Sequence, residues 1–129
     1  MKFLTKKILL YFHEDQLAKY GGSEGILDKN LLESALGQPR MSFGGQYLCK
    51  DVFEMAATYG YHIGLDQPFM NGNKRITLVS MYTFLYMNGW HLSCDPKELY
   101  LNIIALTRQK IDKKELTHFL KSNCKRIKV

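Results

Sequence analysis

The sequence predicts an all-α fold, one domain of about six helices over residues 1–129, with a motif loop between two central helices. Two kinds of observation predict it. Apolar residues recur at helical spacing in six stretches, and clusters of glycine and proline separate those stretches. Residues able to cap a helix stand at the head of several of them: Thr5, Asp28, Asp95 before Pro96, and Asp112. The composition agrees, with 46% hydrophobic and 23% charged residues, as in an ordinary globular chain long enough to bury one core.

Thr5 opens a first helix to about Tyr20, with Ile8, Leu9, Phe12, Gln16 and Leu17 along one face. Gly21-Gly22-Ser23-Glu24-Gly25 ends it, because so much glycine cannot sit in a helix interior. His13 has no second His, Asp or Glu at ligand spacing and is expected as a partly buried surface histidine. Asp28 caps a short second helix bearing Leu31, Leu32, Ala35 and Leu36, which Gly37 and Pro39 stop. The stretch from Gln38 to Cys49 is the longest loop. Gly44-Gly45, flanked by Phe43 and by Gln46-Tyr47, could fold it into a small β-hairpin. A cover over a site and a plain connector both fit that loop.

The third helix, about Lys50 to Leu65, is apolar or small almost all round and is expected to be central; His62 lies within it as a core or cleft histidine. After the motif loop a fourth helix runs from Asn73 to Asn88, where Asn88-Gly89 ends it. Trp90-His91-Leu92 reads as a short extended connector. A fifth helix runs from Asp95 to about Arg108 and a sixth starts at Asp112. The basic tail, Lys121 to Val129, is expected to fray.

The motif loop is Gln67-Pro68-Phe69-Met70-Asn71-Gly72-Asn73-Lys74-Arg75. Pro68 and Gly72 break the helix, so Gly72-Asn73-Lys74-Arg75 becomes a glycine-opened helix start carrying two cations. Free amides and the positive end of the helix dipole favour an anion there, and Lys74 and Arg75 add charge and a planar fork. The pattern suits phosphate. Local physics also allows an ordinary capped helix with a solvated Lys-Arg pair, and both readings stay open. It is not the GxxxxGK[ST] phosphate loop, and HExxH and GxGxxG are absent, so enzyme chemistry is expected at this turn.

Net charge is +6, which suits an acidic partner. Nucleic acid is not the expected one, because neither a helix-turn-helix spacing nor a basic stripe along one helix is found. Three scattered cysteines, Cys49, Cys94 and Cys124, fit a reducing, cytoplasmic setting better than a disulfide framework or zinc site. There is neither a signal-peptide pattern nor an apolar run long enough to span a membrane.

Three blocks together resemble the death-on-curing (Doc) toxins, the small branch of the Fic superfamily: Tyr20 to Asp28, Leu31 to Leu36, and Pro68 to Arg75. The likeness runs from about Phe3 to Ile127. It implies a compact Fic/Doc-like helical fold and a phosphoryl transfer from ATP to translation elongation factor Tu, which stalls protein synthesis. Larger relatives transfer the AMP portion instead. It also implies an antitoxin whose C-terminal segment folds into a groove on the toxin. Carried onto this chain, Gly72, Asn73, Lys74 and Arg75 form the phosphate cradle. Phe43, Gly44, Gly45, Gln46 and Tyr47, within Ser42 to Leu48, form a flap that aligns the target. The family motif opens with histidine, where this chain has Gln67, and uses an acidic residue toward Mg²⁺, where it has Asn71. Ile76 replaces a usual threonine, and Thr77 the second arginine of AMP-transferring members. The implied reading is a toxin and ATP-dependent kinase attenuated by these substitutions, with Gln67, Lys74 and Arg75 at the reaction. The other reading is a catalytically silent relative that binds nucleotide or an antitoxin-like peptide.

Overall fold

A computed structural model describes residues 1–22 and 25–128. Six α-helices carry the fold: α1 Lys6–Tyr20, α2 Lys29–Gly37, α3 Val52–Asp66, α4 Asn73–Met87, α5 Pro96–Thr107 and α6 Lys113–Ser122. Two short antiparallel pairs join them, β1 Ser42–Phe43 with β2 Gln46–Tyr47, and β3 Trp90–Leu92 with β4 Cys124–Arg126. The all-helical expectation with one small hairpin therefore holds, and the second strand pair is an addition to it.

The capping residues do what their chemistry allows. Thr5 Oγ1 accepts from the Ile8 amide at 3.2 Å, and Asp28 accepts from the amides of Asn30 and Leu31 at 2.9 and 3.1 Å. Asp95 accepts from the Lys97 amide, and Asp112 and Glu115 satisfy each other's backbone in a capping box. Asp51, which the periodicity placed inside the third helix, instead caps it by accepting from the Glu54 amide at 2.9 Å.

α3 is the axis of the core and packs against α2, α4, α5 and α6. Phe53, Met55, Ala56, Ala57, Tyr59 and Ile63 are buried along it. Gly60 permits the closest approach, since a Cβ there would lie 2.5 Å from Met81 Sδ and 3.3 Å from Leu116 Cδ2. The N-terminal segment is tied down: the Leu4 amide donates to the Tyr59 hydroxyl at 3.1 Å, and Asn88 exchanges hydrogen bonds with the backbone of Lys2.

Two expectations fail. The basic tail does not fray through its length, for β4 pairs with β3 in the register Trp90↔Arg126, His91↔Lys125, Leu92↔Cys124. The Ile127 amide adds a bond to Gly89 O at 2.9 Å, and Arg126 lies over the Trp90 ring at 5.2 Å. Backbone pairing and one aromatic contact outweigh the charge of the segment, and the supposed connector Trp90-His91-Leu92 is the strand that receives it. His13 is not at the surface but buried, 4% exposed. Val129 and the Ser23-Glu24 part of the first glycine-rich link lie outside the described residues. Among those described, no helix is long and apolar enough to cross a membrane.

Candidate functional site

The site is built where α3 ends and α4 begins. Gln67 closes α3 in a left-handed conformation, φ 49° and ψ 61°, with its amide donating to Ile63 O at 3.2 Å. A side chain other than glycine held there costs on the order of 1–2 kcal/mol, so the surroundings must fix the turn. They do so through the segment before α2. Pro68 O accepts from the amides of Leu27 and Asp28 at 2.8 and 3.1 Å, and the Met70 amide donates to Gly25 O at 3.2 Å. Phe69, 1% exposed, is the anchor of the loop.

α1 fixes the other side. The His13 ring stacks on Phe69 with centroids 4.2 Å apart, and its Nε2–H donates to Asn71 O at 2.9 Å. A carbonyl can only accept, so this bond sets the tautomer of His13. Gly22 lies against the same residue: at φ 124° it has no room for a side chain, since a Cβ would stand 3.0 Å from Leu17 Cδ2 and 3.3 Å from Asn71 Cβ.

Asn73 ties the loop to itself. Its Oδ1 accepts from the Phe69 amide at 3.0 Å and its Nδ2 donates to Phe69 O at 2.9 Å. The side chain is thereby used within the loop, and what Asn73 offers the cleft is its backbone amide. Gly72, at φ 78°, heads α4 without any side-chain cap, and the first closing bond runs from the Ile76 amide to Gly72 O. The amides of Asn73, Lys74 and Arg75 have no acceptor among the described residues.

Gly21, Gln67, Asn71, Gly72, Asn73, Lys74, Arg75 and Tyr100 line one cleft of about 290 Å³ at this helix start. None of these residues carries a carboxylate, and neither Lys74 nor Arg75 forms an ion pair among the described residues. Arg75 rests over the ring of Tyr20 at 4.5 Å. Among the described residues the charge here is positive and uncompensated, which is what an anion requires. A hard divalent cation fits poorly. The side-chain oxygens at hand are neutral amides and a phenol, and the described residues contain no group of three His, Cys, Asp or Glu able to hold a metal.

The structure thus brings Gln67, Asn71, Gly72, Asn73, Lys74 and Arg75 together. It does not bring the hairpin with them: Phe43, Gly44, Gly45, Gln46 and Tyr47 line no part of this cleft. Gly44 and Gly45, at φ 59° and 81°, make the tight turn, Tyr47 packs edge-on to Phe3 at 5.5 Å, and Phe43 stands 83% exposed. His62 also stays apart, its Nδ1 3.3 Å from Asp66 Oδ2. Thr77 is fully buried and donates to Asn73 O at 2.7 Å, so it points into the core.

Sequence reasoning missed His13, Tyr20 and Tyr100. His13 and Tyr20 end up beside the loop because α1 crosses it, a juxtaposition that helical periodicity does not report. Tyr100 sits mid-helix on α5, with nothing local to set it apart from any exposed tyrosine.

The Fic/DOC family matches residues 3–85. The chain is 28% identical over 107 residues to the "Protein kinase doc" of Escherichia phage P1, covering 83% of this chain and 84% of the phage protein. It is also 28% identical over 76 residues to the "Toxin Doc" of Mycolicibacterium smegmatis (strain ATCC 700084 / mc(2)155), covering 59% of this chain and 58% of that one.

Proposed function

The chain belongs to the Fic/DOC family, and from that premise we propose that it is a Doc-like toxin of a toxin–antitoxin pair, a cytoplasmic protein that binds ATP and transfers its γ-phosphoryl group slowly to translation elongation factor Tu. The observation that carries the proposal is the start of α4, where, among the described residues, three amides without partners and two cations without ion pairs border a cleft lined by no carboxylate. The identities of the two relatives, a kinase and a toxin, support the transferred group and the biological role.

In this reading the amides of Asn73, Lys74 and Arg75 and the two cationic side chains bind the phosphates. A target hydroxyl attacks the γ-phosphorus, the bond to the bridging oxygen breaks, ADP leaves with that electron pair, and the hydroxyl proton passes to water. Gln67 can hydrogen-bond the hydroxyl but cannot take its proton, so general-base help, typically about 10²–10⁴ in rate, is missing. Transfer through a loose transition state rests mostly on positioning and charge neutralisation, and the cations still supply these. Asn71 brings no charge to a metal. The β1–β2 hairpin, although it lines no part of the cleft, serves as the flap that pairs with an extended target, and an antitoxin C-terminal segment folds into a groove on the protein in the resting complex.

A second reading rests on the same two side chains: with Gln67 and Asn71 in place, the protein binds nucleotide or an antitoxin-like peptide without turnover. Purified protein incubated with elongation factor Tu and ATP labelled at the α or the γ position separates the two. Slow γ-labelling of the target, raised by Gln67→His with Asn71→Asp, is expected. α-Labelling would mean AMP transfer. ATP binding with no labelling in either protein would favour the silent binder, and a vigorous natural enzyme unimproved by the double variant would remove Gln67 and Asn71 from the reaction.

A further inference from the structure

We infer that Tyr20 is the positioning residue for Arg75, holding its guanidinium at the phosphate cleft through the face of the phenol ring; the inference rests on the anion-binding reading of that cleft. Arg75 is a long, exposed side chain with no ion-pair partner among the described residues, and left alone it would sample many rotamers. Its Cζ lies 4.5 Å from the Tyr20 ring centroid. A ring attracts a cation through its quadrupole without consuming an N–H, so the planar fork remains available to a phosphate.

Tyr20 is itself placed by the backbone. It is the last residue of α1, and the Gly21 amide behind it donates to Leu17 O at 2.7 Å. Gly22 then packs on Leu17 and Asn71, and His13 holds Asn71 O, so the end of α1 is fixed to the motif loop on both sides of Tyr20. The ring is 61% exposed and contributes little to the core, which separates positioning from simple packing.

Tyr20→Phe, which keeps the ring, and Tyr20→Leu, which removes it, test this with ATP as the probe in calorimetric titrations. Tyr20→Phe should stay within about twofold of the natural affinity, and Tyr20→Leu should lose about two- to fivefold. In an Arg75→Ala background the same Tyr20→Leu change should cost nothing further. In the ligand-free protein, the Nε–Hε resonance of Arg75 should lose its ring-current shift in Tyr20→Leu and keep it in Tyr20→Phe. Equal loss in both Tyr20 variants, or an undiminished loss in the Arg75→Ala background, would overturn the positioning role alone. Failure of the natural protein to bind ATP at all would overturn the anion-binding reading, and this role with it.

Discussion

Arg75 and Tyr59 illustrate two ways a single side chain acts in this protein. In the proposed cradle Arg75 meets phosphate with a charge-assisted fork worth about 1.5–3 kcal/mol, so Arg75→Ala should weaken ATP binding at least roughly tenfold in calorimetry. Arg75→Lys should also be impaired, because a point charge cannot form the same paired bonds. Tyr59 is fully buried in α3, and burial pushes its hydroxyl up to about 12, opposed in smaller measure by the Leu4 amide that donates to it. The unfolded chain ionises nearer 10 and so holds fewer protons than the folded one above that pH, which makes stability fall as pH rises from 10 toward 12. Denaturant titrations should show that decline reduced in Tyr59→Phe, which should itself lose about 1–3 kcal/mol near neutrality because the Leu4 amide is left without an acceptor. An equal decline in both proteins would exclude Tyr59 as its source. At this scale the sequence announces Lys74, Arg75, Gln67 and Asn71, since their meaning lies in local order. It is silent on His13 and Tyr20, which acquire theirs from Asn71 and Arg75, more than fifty positions away.

Elements were legible where a local signal controls them. Asp28, Asp95 and Asp112 each accept from the first turn of the helix they open, and Gly44-Gly45 turns the hairpin. β4 was illegible because Cys124-Lys125-Arg126 has no strand signal of its own and exists only by pairing with β3. The hairpin contributes little to the core, with all four of its strand residues exposed, so its function and its stability can be separated. Deleting Gly44 and Gly45 should leave the melting temperature nearly unchanged while abolishing target modification. A large fall in melting temperature with modification intact would make β1–β2 a structural connector instead.

On the scale of the molecule, α3 organises everything else. It gathers α2, α4, α5 and α6 around small and apolar side chains, and the loop leaving its C-terminal end therefore emerges at the margin of the core. There the segment Gly25 to Asp28 braces it from one side and α1 from another, while the bare N-terminus of α4 remains open. A net charge of +6 adds a long-range attraction for polyanions, weakened by salt over a screening length of about 8 Å at physiological strength. The central claim is that this opening holds the phosphates of ATP. Titrating ATP into ¹⁵N-labelled protein and following the backbone amides tests it most directly. The largest shifts should fall on Gly72, Asn73, Lys74 and Arg75 and shrink in Arg75→Ala. Shifts concentrated instead in the groove between α5 and α6, around Ile111 and Phe119, or none at millimolar ATP, would contradict it.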